Sequence, residues 1–153
     1  MNEPTLRRAI SADVPEIRAL VQRAYAPWLA VTPRPPRPVT ADYDRAVRDH
    51  RFDLLVDRGT LVALIETVPE DAELLIINVA VDPDRQREGL GIRLMRHAEA
   101  VARTAGLQGT RLTTNTLMAA NIGLYERLGY TQERDVDHGG GMVAVHMVLR
   151  FAP

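Results

Sequence analysis

The chain has 153 residues, 46% hydrophobic and 25% charged, a net charge of −1 and no cysteine. A chain of that length buries roughly two-thirds of its unfolded surface, so a single domain over residues 1–153 needs no disulfide or metal staple. The charge balance gives no basic field for nucleic acid, no run of about 18 apolar residues offers a membrane span, and the missing cysteine excludes a thiolate nucleophile and a zinc–thiolate site. Lysine is also absent, so every cationic side chain other than histidine is arginine. Met1-Asn2-Glu3-Pro4 lacks the basic-then-apolar pattern of a secretory leader, and a cytoplasmic protein is expected.

Thr5 to Ile10 reads as a first strand. Asp13 is placed as an N-cap, with Pro15 in the first turn and Glu16 three residues on. Ile17, Leu20, Val21 and Ala24 then recur at helical spacing as far as Tyr25, and Pro27 ends or bends the helix. Residues 26–39 hold Trp28 and the proline-rich tract from Pro33 to Pro38, which reads as a stiff loop. A short helix is expected from Thr40, with Tyr43, Ala46 and Val47 on one side. Phe52 to Val56 and Thr60 to Val68 read as strands joined at Asp57-Arg58-Gly59. Glu73 to Val81 is too continuously apolar for a half-exposed strand and is placed at the sheet centre. Leu90, Leu94, Ala98, Val101 and Ala105 mark a long helix stopped by Gly106. Thr110 to Thr114 is a strand, Ala119 to Leu128 a helix closed by Gly129, and Tyr130 to Asp137 and Met142 to Phe151 a pair of strands joined through His138-Gly139-Gly140-Gly141. The order β-α-α-β-β-β-α-β-α-β-β implies an α/β (mixed α+β) protein whose mixed sheet carries helices on both faces.

The stretch Val79 to Leu94 joins the central strand to the long helix through Gln86-Arg87-Glu88-Gly89-Leu90-Gly91. A strand, a glycine-containing turn and a helix start put several backbone N–H groups at the positive end of a helix dipole, where phosphate or pyrophosphate binds. Alone, the motif also fits a turn that uses glycine for tightness. Downstream, Asn121 and Tyr125 stand four residues apart and share a helix face.

Taken together, Val79-Ala80-Val81 with Pro83, then Gln86-x-x-Gly89-x-Gly91, then Asn121-x-x-x-Tyr125-x-x-x-Gly129-Tyr130 resemble the GNAT N-acetyltransferase superfamily. The resemblance is strongest between Leu74 and Gln132. It implies a GNAT-like acyl-CoA acyltransferase fold, a strongly bent mixed sheet of six or seven strands whose fourth and fifth strands splay apart to admit the pantetheine arm of acetyl-CoA. On that resemblance Val79, Ala80 and Val81 pair with pantetheine like a missing strand. The amides of Arg87, Glu88, Gly89, Leu90, Gly91 and Ile92, beside Gln86, hold the pyrophosphate. Asn121 contacts the cofactor, and Tyr125 protonates the departing thiolate. The backbone N–H of Val79 stabilises the oxyanion. With no cysteine to carry an acyl group, the acetyl passes directly to an amine of a small molecule or protein. No metal is implied, and the resemblance leaves a homodimer open.

Relatives of similar layout often carry a glutamate where this chain has Ile77, followed by Asn78, so the general base is left unassigned among Glu73, Glu66 and His146, with His138 placed in solvent. The resemblance puts the acceptor beside the segment between the first two helices, hence Tyr25, Trp28, Arg34, Arg37 and Tyr43, and the arginines suit a carboxylate or phosphate. A CoA-binding regulatory module without catalysis stays open on account of Ile77. A nucleotide-binding protein is disfavoured by the missing Walker lysine.

Overall fold

Among the described residues seven strands form one sheet in the order β1-β2-β3-β4-β5-β7-β6, antiparallel throughout except for the β4–β5 pair. The strands are β1 (Thr5–Arg8), β2 (Arg51–Asp57), β3 (Thr60–Glu70), β4 (Glu73–Val81), β5 (Gly109–Asn115), β6 (Thr131–Asp137) and β7 (Val143–Arg150). The helices are α1 (Val14–Tyr25), α2 (Arg37–Thr40), α3 (Tyr43–Asp49), α4 (Leu90–Thr104) and α5 (Ala119–Arg127). This computed structural model describes residues 3–139 and 141–153, so Met1, Asn2 and Gly140 of the expected β6–β7 turn lie outside the described residues.

One face of the sheet is covered by α1 and α3, where Ile17, Leu20, Val21 and Tyr43 pack on Phe52, Leu54, Leu64 and Ala80. The other is covered by α4 and α5, where Leu94, Met95, Ala98 and Ala102 pack on Ile65, Leu74, Ile76 and Met147. Each helix buries the stripe that its apolar spacing announces. β4 is the fourth of the seven strands and is enclosed on both faces, which accounts for its unbroken apolar run.

Two local expectations are corrected. Asp13 does not cap α1 with its side chain. A 3-10 turn over Ser11–Asp13 precedes the helix, and the Asp13 carboxylate reaches back to accept from the Ile10 N–H at 2.8 Å and from Arg7 at 2.8 and 2.9 Å. The helix expected from Thr40 is two pieces. α2 ends at Thr40, and α3 starts only after Asp42, whose carboxylate caps it by accepting from the Arg45 N–H at 3.2 Å.

The parallel β4–β5 pairing joins Glu73–Ile76 to Gly109–Leu112 and goes no further, although β4 continues to Val81 and β5 to Asn115. The two strands therefore diverge after Ile76. The divergence coincides with a bulge. β3 pairs Thr67 with Ile76 and Glu66 with Asn78, which leaves Ile77 without a partner. An extra residue bends the bulged strand and exchanges its faces. Before the bulge Leu74 and Ile76 face α4; after it Val79 and Val81 do, while Asn78 and Ala80 turn toward α1 and α3.

The closed end of the β4–β5 pair is tight. A Cβ on Gly109 would collide with the backbone carbonyl oxygen of Leu149 on β7. Gly109→Ala is therefore expected to lower stability by about 2 kcal/mol or more, because backbone rather than a side chain must move. Urea unfolding measures it, and an unchanged midpoint would mean that β7 yields freely.

Candidate active site

Among the described residues, the opening between β4 and β5 is where pairing between inner strands of the sheet breaks off. Two tyrosines lie against it from opposite faces. Tyr25 ends α1, and its hydroxyl donates to Asn78 Oδ1 at 2.9 Å, with a second contact to the Val79 carbonyl oxygen at 3.3 Å. Tyr125 sits on α5, its ring 6.1 Å from that of Tyr130 and tilted by 58°. Among the described residues the Tyr125 hydroxyl makes no hydrogen bond, whereas that of Tyr130 is paired with Thr110 Oγ1. Burial raises the pKa of Tyr125 above the ordinary phenol value, which keeps its proton in place. Burial, and then the neighbouring phenols of Tyr125 and Tyr43, raise that of Tyr25 as well.

Asn78 is 2% exposed, and its amide Nδ2 donates to the Tyr43 hydroxyl at 3.2 Å, which in turn donates to the Pro38 carbonyl at 2.6 Å. The chain of bonds runs from α1 through β4 to α2, and it satisfies every polar atom that the bulge turns inward at Asn78. Opposite Asn78 stands Glu66 on β3, 4% exposed, with Oε2 2.7 Å from His50 Nδ1. Burial raises the pKa of Glu66, opposed by the hydrogen bond and charge of His50. A cleft of about 400 Å³ opens beside the pair, lined by Arg37, Asp42, His50, Glu66 and Ile77 among others.

At the far end of the opening, β4 leads through a 3-10 turn at Pro83–Arg85 into the loop before α4. Arg87 has φ 70° and Gly89 φ 77°, both left-handed. The left-handed Gly89 followed by the right-handed Leu90 makes a concave run of N–H groups. The first intrahelical bond is Arg93 N–H to the Gly89 carbonyl at 3.0 Å, so the N–H groups of Leu90, Gly91 and Ile92 have no helical acceptor. Arg85 braces the loop through Glu88 at 2.7 and 2.9 Å and through Asp57 at 2.8 Å. Donors aimed outward at a helix start suit an anion such as a pyrophosphate.

The other candidates are distributed unevenly. Asn121 is half-buried on α5, and Val79 and Val81 are half-buried on the α4 face. Trp28 is half-buried and Arg34 exposed, while Arg37 reaches the cleft. Tyr43 is corrected as an acceptor-lining residue: it is 1% exposed and both roles of its hydroxyl are taken, so it fixes Asn78 from within the core. Glu73 is corrected as a base, because it lies at the closed end and its carboxylate is held by Arg111 at 2.7 Å and Arg150 at 3.5 Å. His146 pairs with Thr113 Oγ1 at 3.3 Å, its pKa lowered by burial and then by Arg134 and Arg111. His138 is exposed. His50 is the residue the sequence did not flag. Counting back along the hairpin from Arg58-Gly59 brings the start of β2 beside Glu66, and that was the available signal.

Residues 15–130 match the profile of the Acetyltransferase (GNAT) family. Among curated proteins the chain is 31% identical to the [ribosomal protein bS18]-alanine N-acetyltransferase of Escherichia coli (strain K12) over 129 residues, 84% of this chain and 81% of that enzyme. The crystal structure of the Escherichia coli ribosomal-protein-S18-alanine N-acetyltransferase superposes with a TM-score of 0.73 at 25% identity, covering 95% of this chain and 92% of that one. The PaiA N-acetyltransferase of Thermoplasma acidophilum, crystallised with coenzyme A, shares the fold at a TM-score of 0.82 with 14% identity, covering 99% of this chain and 100% of that one. Among the described residues no helix is long and apolar enough to cross a membrane.

Gly89→Ala tests the loop. Nothing lies within 4 Å of the added Cβ, so only the left-handed backbone opposes it. A loss of about 1 kcal/mol is expected in urea unfolding. A change near zero would mean that the loop readily leaves its left-handed form.

Proposed function

The chain belongs to the acetyltransferase (GNAT) family, and on that premise we propose that it moves an acetyl group from acetyl-CoA to a primary amine by direct attack. The observation that carries this is the opening between β4 and β5, with a phenol at each face and unpaired helix-start amides at its end. Those features fit the cofactor: backbone of Val79–Val81 for the pantetheine amides, N–H groups from Arg87 to Ile92 for the pyrophosphate, and Gln86 and Asn121 at its flanks. Acetyl-CoA supplies a thioester carbonyl, and the backbone N–H of Val79 is our candidate donor to the oxygen that becomes negative.

Tyr125 is our candidate acid. A thiol has a pKa near 8.5 and a free phenol near 10, and burial raises Tyr125 further. Complete transfer to a free thiolate runs uphill, so the phenol acts as a hydrogen-bond donor to sulfur while the C–S bond breaks, and its raised pKa keeps that donor in place across the working pH range. Glu66 is our candidate base, reaching the amine through one water. It must be ionised to act, and its raised pKa makes it a stronger base than a surface carboxylate. The regulatory-module alternative rests on Ile77, and it loses that ground once Ile77 is seen as the unpaired bulge residue with Glu66 beside it in the cleft.

For the acceptor, the curated relative acts on an alanine of ribosomal protein bS18. Alanine has no side-chain amine, so the nitrogen involved there is a chain terminus. This supports a protein α-amine ahead of a small-molecule amine for the present chain. Tyr25, Trp28 and Arg37 would border its path.

Tyr125→Phe is expected to lower kcat about 10- to 100-fold, the value of a hydrogen bond to a developing charge, with acetyl-CoA affinity by calorimetry nearly unchanged. Wild-type turnover across the pH range would remove Tyr125 from the chemistry. Absence of acetyl-CoA binding in the wild-type chain would overturn the function.

A further inference from the structure

Tyr125 can serve the departing sulfur only if α5 holds it in a fixed place at the opening, a requirement that rests on the acid role proposed above. α5 supplies little of that hold itself. None of residues 120–127 is fully buried, and the buried side chains stand outside the helix, Met118 just before it and Leu128 and Tyr130 just after. At its start the Asn115 side-chain oxygen accepts from the Leu117 N–H at 3.0 Å. At its end Gly129, at φ 104°, turns the chain back, and the Tyr130 N–H donates to the Tyr125 carbonyl at 3.0 Å. The centroids of the two rings are 6.1 Å apart. Tyr130 is thus joined to Tyr125 through backbone and ring at once.

Tyr130 is also joined to the sheet. It is 2% exposed, and its hydroxyl pairs with Oγ1 of Thr110, which is fully buried on β5. Thr110 stands opposite Leu74 on β4 and Leu149 on β7, inside the stretch Gly109–Leu112 where β5 is paired on both sides. That is the closed end, where the sheet does not open. Burial pushes the pKa of Tyr130 up to about 12 against the opposing effect of the Thr110 bond, so the pair stays neutral at working pH. Packing alone does not call for these two groups. Phenylalanine and valine would fill the same space with no hydroxyl to desolvate. What the pair adds is a fixed depth and rotation of the Tyr130 ring, because two buried hydroxyls are satisfied only where they meet.

We propose that Tyr130 is the positioning residue of Tyr125, referring α5 to the closed end of the sheet through Thr110. A second tie acts at the same corner. Arg96 on α4 donates to the Leu128 carbonyl at 3.3 Å, and Glu99, 6% exposed, holds Arg96 at 2.7 Å. That tie fixes the end of α5 against α4, and the Thr110 pair fixes it against β5. The phenol at the open end is thereby placed by the part of β5 that stays paired. Tyr130 touches neither cofactor nor acceptor on this reading, so its effect passes through Tyr125. Asn121 lies one turn nearer the start of α5, where Asn115 and Met118 hold the chain, and the Tyr130 corner does not govern it.

The test is a kinetic cycle on the full chain, with acetyl-CoA and an alanine-terminated peptide, for Tyr130→Phe, Thr110→Val and the two combined, each with and without Tyr125→Phe. A misplacement of about 1 Å can cost about 100-fold in rate. Tyr130→Phe is expected to lower kcat at least about 5-fold, but no further than Tyr125→Phe does. The KM for acetyl-CoA should change less than about twofold. Thr110→Val should give the same loss, and the combined variant no more than either, because one bond is removed in all three. With Tyr125→Phe already present, Tyr130→Phe should change kcat less than about twofold. Equal losses with and without Tyr125→Phe would mark a general weakening of the fold and overturn the proposal. Wild-type kcat in Tyr130→Phe, with Tyr125→Phe impaired, would overturn it too and leave the acid in place. Wild-type kcat in Tyr125→Phe would instead remove the acid role on which the proposal rests. The combined variant leaves neither hydroxyl of the pair buried without its partner, so it carries the comparison if circular dichroism shows that a single variant does not fold.

Discussion

One unpaired residue governs the molecule. Ile77 adds a single position to β4 that β3 does not match, and strand geometry leaves no neutral way to absorb it. The strand must bend, and every side chain beyond must change face. Both consequences are used. The bend falls at the last residue that pairs with β5, so the sheet opens there. The change of face sends Asn78 toward α1 and α3, where a buried amide is satisfied only because Tyr25 and Tyr43 meet it. A glutamate at position 77 is not required for a carboxylate to lie nearby, because the bulge brings Ile77 and Glu66 to the same cleft.

The two ends of the β4–β5 pair are held by different physics. At the closed end Arg111 on β5 joins Glu73 on β4, and Arg150 on β7 joins Glu133 on β6 at 2.6 Å. Arg111 also reaches Glu133 at 3.1 Å, so one network ties four strands. The Arg111–Glu73 pair is largely buried and carries more weight than the exposed contacts around it. At the open end Asn78 meets the phenols of Tyr25 and Tyr43, and the ion pairs Arg23–Asp82 and Arg85–Asp57 lie just beyond the end of β4.

Much of this was legible in the sequence. The apolar run of Glu73–Val81 placed the central strand, Gly106 and Gly129 ended their helices, and Gly89 marked the left-handed step before α4. The order of elements was sufficient for the mixed sheet. What stayed hidden depends on register. Periodicity alone does not locate a bulge in a strand as uniformly apolar as Leu-Leu-Ile-Ile, so Ile77 read as a missing base instead of an inserted residue. Tyr43 read as a cleft aromatic because its burial depends on Pro38 and Asn78, five and 35 positions away. His50 and Glu66 are 16 apart and belong to different elements, and only the hairpin register joins them. Asp13 carried a correct capping signal, but Arg7 and Ile10 claimed its carboxylate first.

Arg85 sets the terms on which the loop before α4 would meet the proposed pyrophosphate. By holding Glu88 and Asp57 together it fastens Gln86–Gly89 to the end of β2, so the chain there is confined in the folded protein with no ligand needed to order it. The entropy of ordering that loop is charged to folding, and association is spared it. Under the proposed pyrophosphate role, affinity at this position would then depend on how well the braced donors match the spacing of the phosphate oxygens. On the proposed reading a ligand of slightly different shape would match those donors less well, which makes the bracing by Arg85 a source of discrimination.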